Sequence, residues 1–216
     1  GTAVDMFNEQ GVYTEHFTMA YNAVFIGMAL NMLIAQRLAE RYTNKTLVMT
    51  GLTGLLLLNI ICAISNNPYL TIATCFVLGF VKVFALGEVY LEWLKIWSKK
   101  FQSSRLYPFL YFMALGGTYF TTWGTSYLAY RYNWHYAYIV IFISILLCMI
   151  SALFFFKNIK LKKRIPLYQL DLPGLALLGM AMMLINYIFV YGKVEDWFSS
   201  QKIIFATWLA IFVLLL

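Results

Sequence analysis

The feature that most constrains this chain is a repeated interval. Stretches of about 20 apolar residues follow one another near 17–39, 46–65, 69–93, 106–130, 134–156 and 171–192. Twenty residues of α-helix rise roughly 30 Å, the thickness of a bilayer's hydrocarbon core, so each stretch is read as a membrane-spanning helix. A seventh run begins near Lys202 and stops at Leu216. Its apolar part, from Ile203 to Leu216, covers 14 residues and has no polar flank, so this last span is expected to be incomplete. The first residues, Gly1 to His16, are polar and acidic and lack the positive start and cleavage site of a signal peptide. The chain is therefore expected to be cut at both ends.

Composition excludes the main alternative, a water-soluble domain. Charged residues make up 12% of the 216, about half the share of roughly 25% usual in soluble domains, and 62% are apolar. With 18 Phe, 16 Tyr and 6 Trp and a mean hydropathy of +0.73, lipid is the expected solvent. Cys62, Cys75 and Cys148 are odd in number and lie inside apolar runs, where a thiol behaves as a small hydrophobe; no disulfide framework follows. His16 and His135 stand at the ends of runs without Cys or carboxylate at metal spacing, and no glycine-rich phosphate loop is present. No metal and no cofactor are implied.

The net charge of +7 needs explaining, since it would also suit a nucleic-acid surface. Of the 16 cations, Lys82 falls within a span and the other 15 lie between the spans or at their ends with a strong bias. Twelve occupy alternate connections: Arg37, Arg41 and Lys45, then Lys95, Lys99, Lys100 and Arg105, then Lys157, Lys160, Lys162, Lys163 and Arg164. The opposite side holds Arg131, Lys193 and Lys202. By the positive-inside rule the twelve face the cytoplasm of a plasma (inner) membrane, and no nucleic-acid partner is needed. The short links Asn66-Asn67-Pro68 and Arg131-Tyr132-Asn133 force their flanking helices to run antiparallel. The longest linker, 157–170, is basic and separates the five spans of 17–156 from a hairpin at 171–216, where Asp171-Leu172-Pro173-Gly174 carries a helix-start signal.

The turn Gln36-Arg37-Leu38-Ala39-Glu40-Arg41-Tyr42-Thr43-Asn44-Lys45 resembles the signature between the second and third spans of the major facilitator superfamily, usually Gly-x-Leu-Ala-Asp-Arg-x-Gly-Arg-Lys. Leu38, Ala39, Arg41 and Lys45 match, and Glu40 keeps the acid, whereas Gln36, Thr43 and Asn44 depart. Trp134-His135-Tyr136-Ala137-Tyr138 looks like the Trp-Arg-x-x-Phe start of the sixth span. Asp171 with Gly174, and then Asp196-Trp197, resembles the extra hairpin of the 14-span drug:proton antiporters. The resemblance implies a major-facilitator-like, all-α bundle of about seven spans, with residues 1–16 an extracytoplasmic loop after a missing first span. It also implies proton-coupled export of small amphiphiles, with the lipid bilayer, the substrate, protons and the missing remainder of the same transporter as partners. Arg37, Glu40, Arg41 and Lys45 would then form a cytoplasmic gate. Two positions depart from the family: Cys75 stands four residues before Gly79 where an Arg is usual, and the Gly-Pro-x-x-Gly-Gly kink of the fifth span has no counterpart beyond Gly116, Gly117 and Gly124.

Within the spans, Lys82 is the most informative residue. A helix starting near Tyr69 reaches it after roughly 20 Å, close to or just past the midplane, where a cation costs about 2.5 to 3.5 kcal/mol and normally faces a bundle interior or aqueous cavity. Lys82 also lies seven residues after Cys75, on almost the same helix face, so it is read as a deeper replacement for the family's Arg. The plainer reading is a Lys that snorkels or pairs with a carboxylate. Glu88 is either a proton-linked acid or that partner, and Glu92 with Lys95 is a surface pair. The fourth run carries a small-residue stripe, Ala114, Gly117, Thr121 and Gly124, read as a packing face. Its aromatic stripe includes Tyr119, Trp123, Ser126, Tyr127 and Tyr130, and Tyr119, Trp123 and Tyr127 are candidates for a substrate cavity, together with Asn31. Asn22, Asn31, Gln36, Asn59 and Asn186 are intramembrane amides that more often join helices than bind substrate. The expected function is secondary transport without covalent catalysis. The rivals are a membrane scaffold, which has no need of Lys82, and a membrane-embedded enzyme, which would gather Asp, His or Ser at one depth.

Overall fold

The computed structural model describes residues 14–65, 67–98, 103–132, 134–155 and 171–215. Within these ranges the side chains at 36, 39, 40, 85–98, 103–107, 109–111, 113–115, 118, 129, 134, 135 and 155 are not described. The linker 157–170 and most of the tail 1–16 lie outside the described residues.

Seven α-helices occupy the described chain: α1 (Thr14–Arg41), α2 (Asn44–Ile64), α3 (Pro68–Ser98), α4 (Ser103–Arg131), α5 (Trp134–Phe155), α6 (Leu172–Tyr191) and α7 (Gln201–Leu215). Their ends follow from local chemistry. Glu15 in the first turn and Arg41 in the last complement the dipole of α1. Two residues later the Thr43 hydroxyl accepts the Thr46 N–H at 3.2 Å and starts α2. Asn67 Oδ1 accepts the Tyr69 N–H at 3.0 Å beside Pro68, whose missing N–H costs nothing in a first turn. At α6, Asp171 Oδ1 accepts the Gly174 N–H at 2.9 Å, as the sequence suggests.

The hairpin from α6 to α7 is folded tightly. Gly192 accepts the Trp197 N–H at 2.7 Å, and the Trp197 ring lies where a Cβ on residue 192 would meet it at 2.7 Å. Asp196 and Trp197 take left-handed backbone angles, φ 54° and 51°, which non-glycine residues adopt at a cost. A short 3₁₀ turn, Trp197–Ser199, then leads into α7.

Neighbouring helices pack in the order α7, α6, α1, α3, α2, α5, α4, and α4 also touches α3 lightly. Helix α1 therefore lies between α3 and α6. Met19, Ala20, Ala23 and Ile72 are buried where these three meet, with Met183 and Tyr187 of α6 packed against them. A second small core, Val48, Leu52 and Ala152, joins α2 to α5. Polar bonds tie the same pair, from Asn59 Nδ2 to the Tyr138 carbonyl at 3.3 Å and from Lys45 Nζ to the Leu153 carbonyl at 2.7 Å.

Large side chains cover the outside, among them Phe25, Leu33, Leu57, Phe154, Phe189 and Phe205. That arrangement suits lipid and not water. The expected number of spans needs correction. Four of the described helical stretches are long and apolar enough to cross a membrane, Thr14–Ala35, Asn44–Ile64, Tyr136–Phe154 and Leu172–Tyr191, against the seven expected. Of the others, the described side chains of α3 end at Phe84, so only Pro68–Phe84 of its 31 residues enters that comparison, and α7 is 15 residues long, Gln201–Leu215. In α4, hydroxyls, tyrosines and glycines dilute the apolar content.

Candidate functional site

The most closely built part of the bundle is the crossing of α1 and α3. A Cβ on Gly27 would collide with the Phe76 carbonyl oxygen and stand 2.8 Å from the Phe80 amide nitrogen. A Cβ on Gly79 would overlap the Val24 carbonyl in turn. Two glycines thus let the backbones touch, the close approach through which membrane helices gain packing contacts where there is no water to expel. One turn beyond Gly27, Asn31 is fully buried and its Nδ2 donates to the Phe80 carbonyl, while its Oδ1 has no partner among the described residues.

Lys82 stands two residues after Phe80 and is half-buried. Among the described residues no hydrogen bond or ion pair holds its ammonium. The structure therefore places Asn31 and Lys82 near one depth of the α1–α3 pair, roughly 20 Å along α3 from Pro68. Glu88 continues the same helix, but its side chain lies outside the described residues.

The far side of α1 meets α6 through amides. Asn22 Nδ2 donates to Asn186 Oδ1 at 2.8 Å, and Asn186 Nδ2 reaches the Met19 carbonyl at 3.5 Å. Two apolar cavities flank this seam. One of about 420 Å³ is lined by Asn22, Phe25, Ile26, Met182, Ile185 and Asn186. The other, about 430 Å³, is lined by Leu30, Phe76, Phe80, Leu175, Gly179 and Met183, among others. Both are open at the outer surface, and neither is lined by Asn31 or Lys82.

The remaining sequence candidates are dispersed. Tyr119, Trp123 and Tyr127 are 75%, 66% and 52% exposed on the outer face of α4, where the last two rings stack at 5.9 Å. They line neither of the two cavities beside α1. Arg37 and Arg41 are exposed at the end of α1, with the Arg41 guanidinium 5.8 Å above the Tyr42 ring. Lys45 is turned to the Leu153 carbonyl at the end of α5, where a cation also meets the negative end of the helix dipole. The Glu40 side chain lies outside the described residues.

Two features escape the sequence reading. His16 is buried between the rings of Tyr69 and Tyr191, at 5.7 and 5.4 Å, and so joins α1, α3 and α6 at one end. Nothing local signals this, because its partners come from distant helices. The glycine pair Gly27 and Gly79 is also unread: Gly27 closes an Ala23-x-x-x-Gly27 small-residue spacing, yet nothing in the sequence says which helix answers it. Outside the apolar spans, Glu195 accepts from Lys202 Nζ at 2.8 Å and from Ser200 Oγ at 3.1 Å, which together hold its carboxyl below the usual carboxylate range. Among the described residues, no three His, Cys, Asp or Glu side chains gather within reach of one metal ion.

No protein-family model matches the chain, and no curated protein matches it. Its class therefore rests on the long apolar helices, their lipid-facing outer surface and the capped, amide-tied seams between them: the chain is a polytopic, largely helical membrane-spanning protein.

Proposed function

We propose that this chain is part of a secondary active transporter of the major facilitator type, exporting small amphiphiles in exchange for protons. The observation that carries the reading is Lys82, a half-buried cation deep in α3. Such a cation costs about 2.5 to 3.5 kcal/mol at the centre of a membrane helix, and function is the usual reason it is retained. The buried, half-satisfied Asn31 supports the same region, and an open apolar groove lined by Leu30 and Phe80 lies next to it.

In this reading Lys82 and Glu88 are exchanging charges. Glu88 takes a proton when it is desolvated and releases it when water or a cationic partner returns. Rocking of helix groups about the site gives alternating access, with Arg37, Glu40, Arg41 and Lys45 bracing the cytoplasmic end. The basic connections face the cytoplasm of the plasma membrane. No covalent step is required.

The test is flux of a fluorescent lipophilic cation in sealed vesicles carrying the full-length protein. An imposed pH gradient should drive movement, Lys82→Met should abolish it at unchanged expression, and Lys82→Arg should retain part. Movement independent of the gradient would overturn the reading. Full transport by a Lys82→Met, Glu88→Gln double variant would reduce Lys82 to a neutralising partner.

A further inference from the structure

The seam between α2 and α3 holds a second chemical feature, one unrelated to Lys82. These helices form an antiparallel hairpin around Ser65 and Asn67, and two contacts fix their register. Near the turn, Thr71 Oγ1 lies 3.4 Å from Ser65 Oγ. Deeper in, a Cβ on Gly54 would stand 2.7 Å from a Val81 methyl. Between those two levels, one helical turn from Ser65 on α2 and one from Thr71 on α3, are Cys62 and Cys75.

Spaced three residues from Ser65 and four from Thr71, each lies on the face its helix turns toward the other, at one level of the seam. Both are free thiols. They differ in access: Cys62 is 2% exposed, whereas Cys75 is half-buried. Side chains on facing stripes at one level of the hairpin meet the first requirement of a disulfide, that the Cβ vectors point toward one another.

We propose that Cys62 and Cys75 are a dithiol modification site that closes to an inter-helix disulfide with a membrane-permeant small-molecule disulfide as oxidant. The more accessible Cys75 reacts first. Its sulfur attacks one sulfur of the reagent, the reagent's S–S bond breaks, and one small thiol leaves with the proton from Cys75. Cys62 then attacks the Cys75 sulfur, the mixed disulfide breaks, and a second small thiol leaves with the proton from Cys62. The protein loses two electrons and two protons, and the reagent gains both. The product ties α2 to α3 one turn below their connecting loop.

Cys148, exposed on α5, is the internal control. Neither of the other thiols adjoins it, so it stops at the mixed disulfide. The experiment treats the full-length protein in membrane vesicles with dithiodipyridine and reads peptide masses without reduction. The expected result is a pyridyl adduct on Cys148, a Cys62–Cys75 cross-link lighter by two hydrogens and free of adduct, and, in Cys62→Ser, an adduct retained on Cys75. Adducts retained on both Cys62 and Cys75 of the unaltered protein would overturn the proposal. So would two unreacted thiols there beside a labelled Cys148.

Discussion

Helices α3 and α4 are nearly equal in length, 31 and 29 residues, and both carry small residues and aromatic rings, yet they occupy opposite situations. On α3, Gly79 is pressed against the backbone of α1, and α2 covers another face. On α4, Gly116, Gly117 and Gly124 have no atom within 4 Å of where a Cβ would stand, and the rings of Tyr119, Trp123 and Tyr130 point outward. Small residues therefore permit close approach without causing it. What differs is the partner: α1 answers Gly79 with Gly27 and a buried amide, whereas α4 presents its stripe to no described helix. The expectation that Ala114, Gly117, Thr121 and Gly124 pack a neighbour finds none at Gly117 or Gly124 among the described residues.

The sharpest way to break this comparison is to make one substitution in both places. Gly79→Ala should destabilise the protein by about 3 kcal/mol, because the new methyl overlaps the Val24 carbonyl and backbone cannot yield as a side-chain tip does. Gly117→Ala should do the reverse and add about 0.5 kcal/mol, since open space surrounds it and Ala is the better helix former. Denaturation in mixed detergent micelles measures both. Losses of equal size would mean that α4 is packed as α3 is.

A smaller effect is expected at the α1–α6 seam. Asn186→Leu leaves Asn22 Nδ2 without its acceptor and should cost about 1 kcal/mol, near the usual worth of a hydrogen bond between membrane helices. Pairing it with Asn22→Leu should recover part of that loss, and additive losses would show that the two amides do not act together.

The smallest effect is a pH dependence in the α6–α7 turn. Glu195 is held below the usual carboxylate range by Lys202 and Ser200, so its contribution is complete above that range and is lost as pH falls through its lowered value. Its exposure lets solvent and salt weaken the pair. Lys202→Met should flatten the acid limb of the stability profile, and an unchanged limb would show that the ion pair has no effect on stability.

Much of this architecture is legible in the sequence because membrane helices announce themselves through length and apolarity. The cap at Asp171, the short turn before Pro68 and the amides that join α1 to α6 all act locally or through a polarity that lipid makes costly. Partner choice is less legible. Nothing near Gly27 or Gly79 distinguishes them from Gly117 and Gly124, because the difference lies on another helix. Cys62 and Cys75 are less legible: counting outward from Asn66 sets Cys62 opposite Leu70, and the offset that brings Cys75 level with it comes from the Ser65–Thr71 contact. Lys82 is the opposite case, conspicuous in sequence for its depth alone, and the structure adds that it is half-buried.

The central claim is that Lys82 borders a water-accessible path within the bundle, unlike the outer faces of α2 and α5. Its most direct test replaces Lys82, Leu57 and Ile150 in turn by Cys in a background lacking Cys62, Cys75 and Cys148, then applies a charged, membrane-impermeant methanethiosulfonate to sealed vesicles of the full-length protein. Leu57 and Ile150 are exposed on the outsides of α2 and α5 and should stay unlabelled. Lys82→Cys should react from at least one side of the membrane, because a cation at that depth is retained where water reaches it. Silence at Lys82→Cys from both sides, equal to that of the two lipid-facing positions, would contradict the account.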